Sequence, residues 1–233
     1  MSFEPASAAI VQLAWERLLG FDDGALSDRR TARLTRATES AGSATFVRLF
    51  GSSALVAPQW FLDRAAELPD DELARHASML ALSADHGGSG LGAAELFFAD
   101  DLAPVEPEQE VTVSLGAWES QLLCAACPPD DVNESGLAEA GEVFTVLAGE
   151  TPLAGSGYQE WQGLLAQLSV LVAPGMRRRG LGRIVAGIAA HEALATGLIP
   201  QWRAATGNQA SQRLARKLGF ECAGSQTTVL FNP

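Results

Sequence analysis

Three consecutive strand-like segments constrain this chain most. They are EVFTVLAG, TPLAGSGYQEW and GLLAQLSVLVAP, at residues 142–149, 151–161 and 163–174. The breaks between them, at Gly149-Glu150 and near Gln162-Gly163, are too short for a helical crossover. Successive strands must therefore run antiparallel, and we expect an antiparallel meander rather than the parallel unit that precedes a dinucleotide-binding fingerprint.

A loop rich in glycine and arginine follows the third strand and opens a helix. The stretch VAPGMRRRGLGRIVAG, residues 172–187, has glycines at 180 and 182 that let the backbone turn and approach a ligand closely. Backbone N–H groups at a helix start, together with the helix dipole, favour an anion. The loop has no G-K-[ST] and is therefore not a Walker loop. Four guanidinium groups make a pyrophosphate the best-suited anion: those of Arg177, Arg178, Arg179 and Arg183.

The remaining pattern alternates helices with strands. We predict helices at 8–19, 58–69, 70–82, 117–127, 181–197 and 208–219, two short strands within 45–57, and strands at 93–101, 200–206 and 221–231. HGGSGLG, residues 86–92, has no basic residue near it and is predicted to be a turn. The stretch LAPVEPEQEV, residues 102–111, predicts a boundary between an N-terminal α/β lobe, 1–104, and a second domain, 105–233.

Charge is segregated along a chain whose net charge is −12. Residues 76–176 contain 15 acidic and no basic residues, whereas residues 177–233 contain eight basic and two acidic residues. The acidic total argues against nucleic-acid binding, and the basic quarter favours a local anion site. The acidic middle either attracts a cationic partner or is a solvated face.

Cysteine usage and hydropathy bear on location. Three cysteines and no export signal indicate the reducing cytosol, and no segment is long and apolar enough for a membrane. Cys124 and Cys127 form a C-x-x-C without a second ligand pair, and the three histidines show no metal-ligand spacing. We therefore predict a cytoplasmic protein with no metal, and expect the two cysteines to lie on a helix as small apolar residues.

Two motifs resemble the GNAT N-acetyltransferase superfamily. LSVLVAPGMRRRGLG resembles its acyl-CoA-binding motif through Val172, Pro174, Arg177, Gly180 and Gly182. NQASQRLARKLGF resembles the second family motif, and the order and spacing of the two fit as well. The resemblance covers about residues 111–233 and implies a mixed, mainly antiparallel twisted sheet flanked by helices. Residues 1–104 are not explained by it and are either an extra module or a divergent half-copy of the fold.

The resemblance also implies how acetyl-CoA binds as co-substrate. It would lie in a V-shaped opening between two central strands, with backbone groups of Val170, Leu171 and Val172 on the pantetheine arm. Asn208 would contact the pantetheine side, and a plain helix N-cap is equally compatible with it. The residues implied to hold the pyrophosphate are Arg177, Arg178, Arg179, Gly180, Leu181, Gly182 and Arg183.

The catalytic groups are less defined. A protonated amine must lose a proton at a cost of about 4 to 5 kcal/mol at pH 7, for which Glu160 is the preferred base and Glu134 a second candidate. Many family members use a tyrosine of the second motif as the acid, but Leu214 and Ala215 stand here. Tyr158 is a candidate acid, or else a half-buried strand aromatic, and water or Ser211 could replace it. A backbone N–H near Val170 would hold the oxyanion.

The sequence thus favours an acetyl-CoA-dependent N-acetyltransferase that acts through a ternary complex. The acceptor would be a primary amine of a small molecule or protein, and a cationic one if the acidic middle attracts it. The alternative is a non-catalytic acyl-CoA-binding sensor or regulatory module. Acetylation of a hydroxyl is a further option. We expect no nucleic acid or membrane partner, and leave a homodimer open.

Overall fold

The computed structural model describes residues 3–27, 33–38, 42–105 and 110–231. The α-helices over these residues are α1 (Pro5–Leu19), α2 (Gln59–Ala65), α3 (Asp70–Leu73), α4 (His76–Leu82), α5 (Ala117–Ala125), α6 (Pro129–Ser135), α7 (Leu181–Ala195) and α8 (Gln209–Leu218). The strands are β1 (Leu34–Ala37), β2 (Ser43–Leu49), β3 (Ser52–Ala57), β4 (Ser89–Phe98), β5 (Thr112–Ser114), β6 (Glu142–Ala148), β7 (Thr151–Trp161), β8 (Leu165–Val172), β9 (Ile199–Ala205) and β10 (Glu221–Leu230).

The chain divides into two compact units, each assembled from separate stretches. The first, here the C-terminal unit, consists mainly of residues 98–202 and 213–221, and its strand order is β9-β8-β7-β6-β5. The predicted meander is its centre: β6, β7 and β8 pair antiparallel in sequence. β8 and β9 pair in parallel, and α7 lies between them in the chain, so a helical crossover connects these two strands.

Apolar side chains cover both faces of this meander. On one face, Leu123, Leu137 and Leu171 form a core cluster beneath α5 and the short 3-10 helix Leu137–Glu139. On the other, Val146, Ala154 and Val185 pack together, with Val170 and Val172 against them. Gly155 lets α5 lie close to the sheet, since a Cβ there would be 2.8 Å from Leu123 Cδ2. The alternation along β7 and β8 thus separates an α7 face from an α5/α6 face.

The second, here the N-terminal unit, consists mainly of residues 4–97, 203–212 and 222–233. Its strand order is β1-β3-β2-β10-β4, in which β10 pairs antiparallel with β2 from Gly224↔Leu49 to Leu230↔Ser43. Its core includes Phe46, Phe61, Leu73, Met79 and Val229, contributed by the strands and by α2, α3 and α4.

A buried carboxylate ties α1 to the loop that follows it. Glu16 is 1% exposed, and its two oxygens accept the backbone N–H groups of Gly24 at 2.7 Å and Leu26 at 2.6 Å. Gln12 donates to the Leu26 carbonyl at 3.0 Å, and so does Ser52 Oγ at 2.6 Å. Backbone N–H dipoles therefore compensate the buried charge of Glu16.

The predicted fold class is confirmed. Five of the seven strand pairs with a described register are antiparallel, and helices flank the sheet. The predicted turn at 86–92 is wrong in its second half, because β4 begins at Ser89 and ends in the apolar Leu96–Phe98, which anchor it. The predicted helix at 70–82 breaks at Arg75 into α3 and α4. Residues 106–109 of the predicted boundary lie outside the described residues, and the division at 104–105 stays a prediction.

Candidate functional site

The parallel ladder between β8 and β9 is short. Leu165, Ala166 and Gln167 pair with Ile199, Pro200 and Gln201, and over the described residues the ladder does not extend beyond that point. β8 continues to Val172, fully paired to β7 on its other side. The last five residues of β8 therefore have one strand neighbour and one free edge, as expected for two strands that diverge.

The direction of the backbone groups on that edge follows from two hydrogen bonds. The Leu164 carbonyl accepts the Ile199 N–H at 3.0 Å, and the Ala173 N–H donates to the Leu153 carbonyl of the β7 side at 2.9 Å. Because successive residues of a strand point their backbone groups to alternate edges, Val170 faces the β9 side and Leu171 faces β7. Val170 thus offers an N–H and a C=O three residues past the last pair.

The loop after β8 is built around left-handed backbone positions. The 3-10 turn Pro174–Met176 leads to Arg178 with φ 64° and Gly180 with φ 81°, and Gly180 is the N-cap of α7. In the described chain, the first α7 amides with backbone acceptors are those of Arg183 and Ile184, both bonded to the Gly180 carbonyl. The amides of Leu181 and Gly182 point out of the helix start, which is the arrangement that binds anions.

Glycine is required at positions 180 and 182 for different structural reasons. Gly180 has the positive φ that L side chains avoid, and a Cβ there would meet nothing within 4 Å. Gly182 has no positive φ, but a Cβ there would lie 3.3 Å from Val172 Cγ2 and 3.4 Å from Leu214 Cδ2. The first glycine permits the turn, and the second lets α7 begin close against β8.

The arginines of the loop differ in their contacts. Arg177 forms an ion pair with Asp131 of α6, and its Nε lies 3.4 Å from the Val172 carbonyl. Arg178 and Arg179 are exposed beside the free amides, and no ion pair involves them among the described residues. Arg183 is half-buried, and its Nε is a buried donor without a partner in the described structure. The guanidinium groups of Arg178, Arg179 and Arg183 therefore suit an anionic ligand.

Asn208 is an N-cap. Its Oδ1 accepts the Ser211 N–H at 2.9 Å, the geometry of a capping residue at the start of α8. It belongs to the N-terminal unit, whereas Val170 and the loop belong to the C-terminal unit. The N-cap hydrogen bond explains why an asparagine stands at this position. The contact of Asn208 with the pantetheine arm stays a prediction.

The two predicted catalytic residues lie on β7. Tyr158 is 8% exposed and pairs with Leu168, two residues or about 7 Å along the strand from Val170. Glu160 is exposed and pairs with Ala166, which is four residues or about 13 Å from Val170. Their roles stay predictions, and of the two, Tyr158 is the nearer to the free edge.

Ala215 occupies the position of the family tyrosine. It is fully buried in α8, so a tyrosine at this position would have to displace core atoms. The absence of that tyrosine is therefore accommodated by packing.

Sequence reasoning missed polar residues on β8 and on the neighbouring β9. Gln167 and Gln201 form a side-chain hydrogen bond of 2.7 Å at the point where β8 and β9 separate. Ser169 precedes Val170, and its carbonyl accepts Ser156 Oγ at 2.7 Å. These residues stand in an apolar strand pattern, where the only available signal was a polar residue at a predicted core position.

The cysteines carry no described metal site. Burial raises the pKa of the Cys124 thiol, as it does for Cys127. None of the three cysteines forms a disulfide, and no group of metal-ligating side chains occurs in the described ranges. None of the helices in those ranges is long and apolar enough to cross a membrane.

Residues 160–229 match the model of the GNAT acetyltransferase family. The match covers the free edge of β8, the arginine loop, α7 and α8, so the sequence resemblance to this superfamily is confirmed. Family and fold together support acetyl transfer from an acyl-CoA in general terms. No curated protein matches the chain.

Solved structures share the fold. A GCN5-related N-acetyltransferase-like protein from Streptococcus suis is 16% identical with a TM-score of 0.52, over 83% of this chain and 85% of that one. A Drosophila protein is 14% identical with a TM-score of 0.52, over 76% and 60%. A GCN5-related N-acetyltransferase from Kribbella flavida is 16% identical with a TM-score of 0.48, over 66% and 63%. This chain thus covers less than two thirds of the last two proteins.

Proposed function

We propose that the protein is an acetyl-CoA-dependent N-acetyltransferase that acetylates a primary amine of a small molecule or protein. The observation that carries the proposal is the free edge of β8 at Val170, which leads directly into the arginine loop. An extended, amide-bearing ligand that ends in a pyrophosphate fits these two features in that order. Transfer would be direct, in a ternary complex of protein, acetyl-CoA and amine.

The free edge suits the pantetheine arm. Pantetheine carries two amides, each with a donor and an acceptor, and Val172, which faces the same edge as Val170, offers one of each. Such a ligand would form hydrogen bonds with β8 along the stretch where β9 does not pair with it. The thioester carbonyl would then accept the Val170 N–H, which stabilises the oxyanion of the tetrahedral intermediate.

The arginine loop suits the pyrophosphate. The amides of Leu181 and Gly182 supply oriented donors, and the α7 dipole adds positive potential. Arg178 and Arg179 supply full charges at the surface. The arginine loop and the start of α7 therefore attract an anion through their own groups, although the chain as a whole is acidic.

The chemistry requires two proton transfers. The acceptor must lose a proton before attack, and the leaving thiolate must gain one. If coenzyme A resembles a cysteine thiol with a pKa near 8.5, releasing its thiolate at pH 7 costs about 2 kcal/mol, so a weak acid or water suffices. Tyr158 is the candidate acid closest to Val170 along the sheet.

The acceptor, assembly and location follow from weaker observations. The acidic stretch at 76–176 favours a cationic acceptor, and three cysteines without a disulfide fit a reducing cytoplasm. We expect no nucleic acid or membrane partner, and a homodimer stays open.

The test combines thiol release with binding. Wild type is assayed with acetyl-CoA and a panel of primary amines, while acetyl-CoA binding is measured by calorimetry. Changing Arg178 and Arg179 together to Ala should weaken binding at least tenfold, since charge-assisted hydrogen bonds contribute about 1.5–3 kcal/mol. Arg75→Ala, in an exposed pair with Glu72 in the N-terminal unit, is the matched control and should bind normally.

The outcomes separate the candidate functions. Binding together with amine-dependent thiol release supports the enzyme. Binding with no release on any amine favours the acyl-CoA-binding module, and mass analysis of the product distinguishes an amide from an ester. If wild type does not bind acetyl-CoA, the proposal fails.

A further inference from the structure

A nearly buried hydroxyl lies beside the free edge, on the opposite face of the sheet from the Val170 side chain. Ser169 is 7% exposed, and its carbonyl is fixed by Ser156 Oγ. Its own hydroxyl has no hydrogen-bond partner among the described residues. Because this hydroxyl makes no hydrogen bond within the described structure and is not among its fully buried unpartnered atoms, it is available to a ligand from the surface.

A glycine keeps the space in front of this hydroxyl open. Gly136 is the C-cap of α6 with φ 66°, a conformation that favours glycine. A Cβ at Gly136 would lie 3.4 Å from Ser169 Oγ and 3.9 Å from Glu139 Oε2. The hydroxyl and the carboxylate therefore flank the same point, and a side chain at position 136 would fill the space between them.

Glu139 presents an uncompensated carboxylate there. It is exposed, and no ion pair or hydrogen bond of its side chain occurs in the described part of the chain. The nearby Asp131, by contrast, is neutralised by Arg177. Burial of the Cys124 thiol is the larger cause of its raised pKa, and the charge of Glu139 is the second cause. The negative potential of Glu139 therefore reaches the α5/α6 face.

We propose that Ser169 and Glu139 form the acceptor-amine site, in which Glu139 is the general base and Ser169 Oγ positions the nitrogen. The inference rests on the proposed function and deepens it. Ser169 is the residue directly before Val170 on β8, so its hydroxyl lies beside the residue whose N–H would hold the thioester carbonyl. Glu160, by contrast, lies on β7 opposite Ala166, which is four residues along β8 from Val170.

The step balances as follows. The ammonium form of the acceptor gives one proton to the Glu139 carboxylate. The freed lone pair attacks the thioester carbonyl carbon, forming the C–N bond and an oxyanion held by the Val170 N–H. Collapse breaks the C–S bond, and the nitrogen loses its second proton to solvent. The thiolate takes up one proton, so amide, free thiol and one net proton are the products.

The test uses Glu139→Gln with Glu150→Gln as its matched control. Glu150 is an exposed carboxylate in the β6–β7 turn of the same unit. With the best amine, Glu139→Gln should lower kcat about 100-fold at pH 7, the lower end of general-base contributions. The deficit should shrink as pH approaches the pKa of the amine, because the neutral nucleophile is then supplied by solvent. Acetyl-CoA affinity should stay unchanged.

Ser169→Ala tests the positioning role separately. It should raise KM for the amine about tenfold with a smaller change in kcat, and Ser169→Thr should restore part of the loss. Circular dichroism and thermal unfolding establish that each variant is folded.

Failure of this inference is distinguishable from failure of the proposed function. If wild type releases no thiol with any amine, the proposed function fails. If wild type is active and Glu139→Gln has the kcat and pH profile of Glu150→Gln, Glu139 is not the base. An equal loss at every pH would also overturn the proposal, since it would indicate a structural role.

Discussion

At the scale of single residues, two glycines two positions apart illustrate separate requirements. Gly180 satisfies a backbone torsion and Gly182 satisfies a packing distance. A family motif that contains both glycines does not distinguish these roles. The difference matters for interpreting variants, because one substitution strains the loop itself and the other pushes α7 away from β8.

We predict that Gly180→Ala destabilises the protein by about 1 kcal/mol, because alanine is strained at φ 81°. Gly180→Asn should cost less, since asparagine tolerates this region. Gly175→Ala is the control, because Gly175 has no positive φ and a Cβ there meets nothing within 4 Å. Urea unfolding measures all three, and equal losses for Ala and Asn would contradict the torsional explanation.

Glu16 provides a second residue-scale prediction. Glu16→Gln should destabilise by about 1–3 kcal/mol, because a glutamine oxygen can accept only one of the bonds from Gly24 and Leu26, and its amide then faces a donor. Asp22→Asn, an exposed carboxylate on the same loop, should be nearly neutral. Chemical denaturation compares the two, and similar losses would mean that the two backbone bonds contribute little.

At the scale of elements, exposed ion pairs connect neighbouring segments. Arg64 of α2 binds both carboxylate oxygens of Asp85, in the short helix Ala84–His86, at 2.6 and 2.8 Å. The Trp60 ring of the same α2 stacks on His86 at 3.7 Å. Two adjacent residues of one turn are thus held by α2.

The hydrogen bonds from Arg64 lower the pKa of Asp85 to about 2. A lowered carboxyl pKa adds stability that is fully present above the ordinary value of 3.8 and is lost as pH falls through 2. We predict that carboxyl NMR shows Asp85 titrating near pH 2 and that Arg64→Ala returns its pKa towards the ordinary value. Arg48→Ala, which removes the pair with Asp71, should not move it.

The pair between Asp131 and Arg177 links α6 to the arginine loop. Asp131→Asn should strengthen acetyl-CoA binding by up to about fivefold, since it removes a charge that competes for Arg177 at the surface. The gain should shrink at high salt. Asp130→Asn is the control in calorimetry, and weaker binding by Asp131→Asn would show that the pair orients the loop instead.

At the scale of the whole molecule, the sequence predicted what is local. Short turns at Gly149 and Gly163 implied the meander, and the glycine and arginine pattern of 172–187 implied the anion loop. Asn208 was predicted as a cap because its signal lies within one helical turn. Such features depend on backbone preferences of adjacent residues.

What the sequence did not predict depends on register and long-range pairing. Gly136 and Ser169 are 33 positions apart, and their proximity follows from where α6 ends over β8. β10 pairs with β2 across most of the chain, which no local pattern encodes. The burial of Glu16 has no sequence signal, because its two hydrogen-bond donors are backbone groups.

The divergence of β8 from β9 has a consequence for self-association. An unpaired strand edge normally invites another strand, and proteins protect such edges with charges, prolines or bulges. Here the edge is closed at one end by the pairs at 165–167 and followed at the other by the arginine loop. A second strand would find only five residues of unpaired edge, at 168–172, and the shortness of this edge limits it as a template for aggregation.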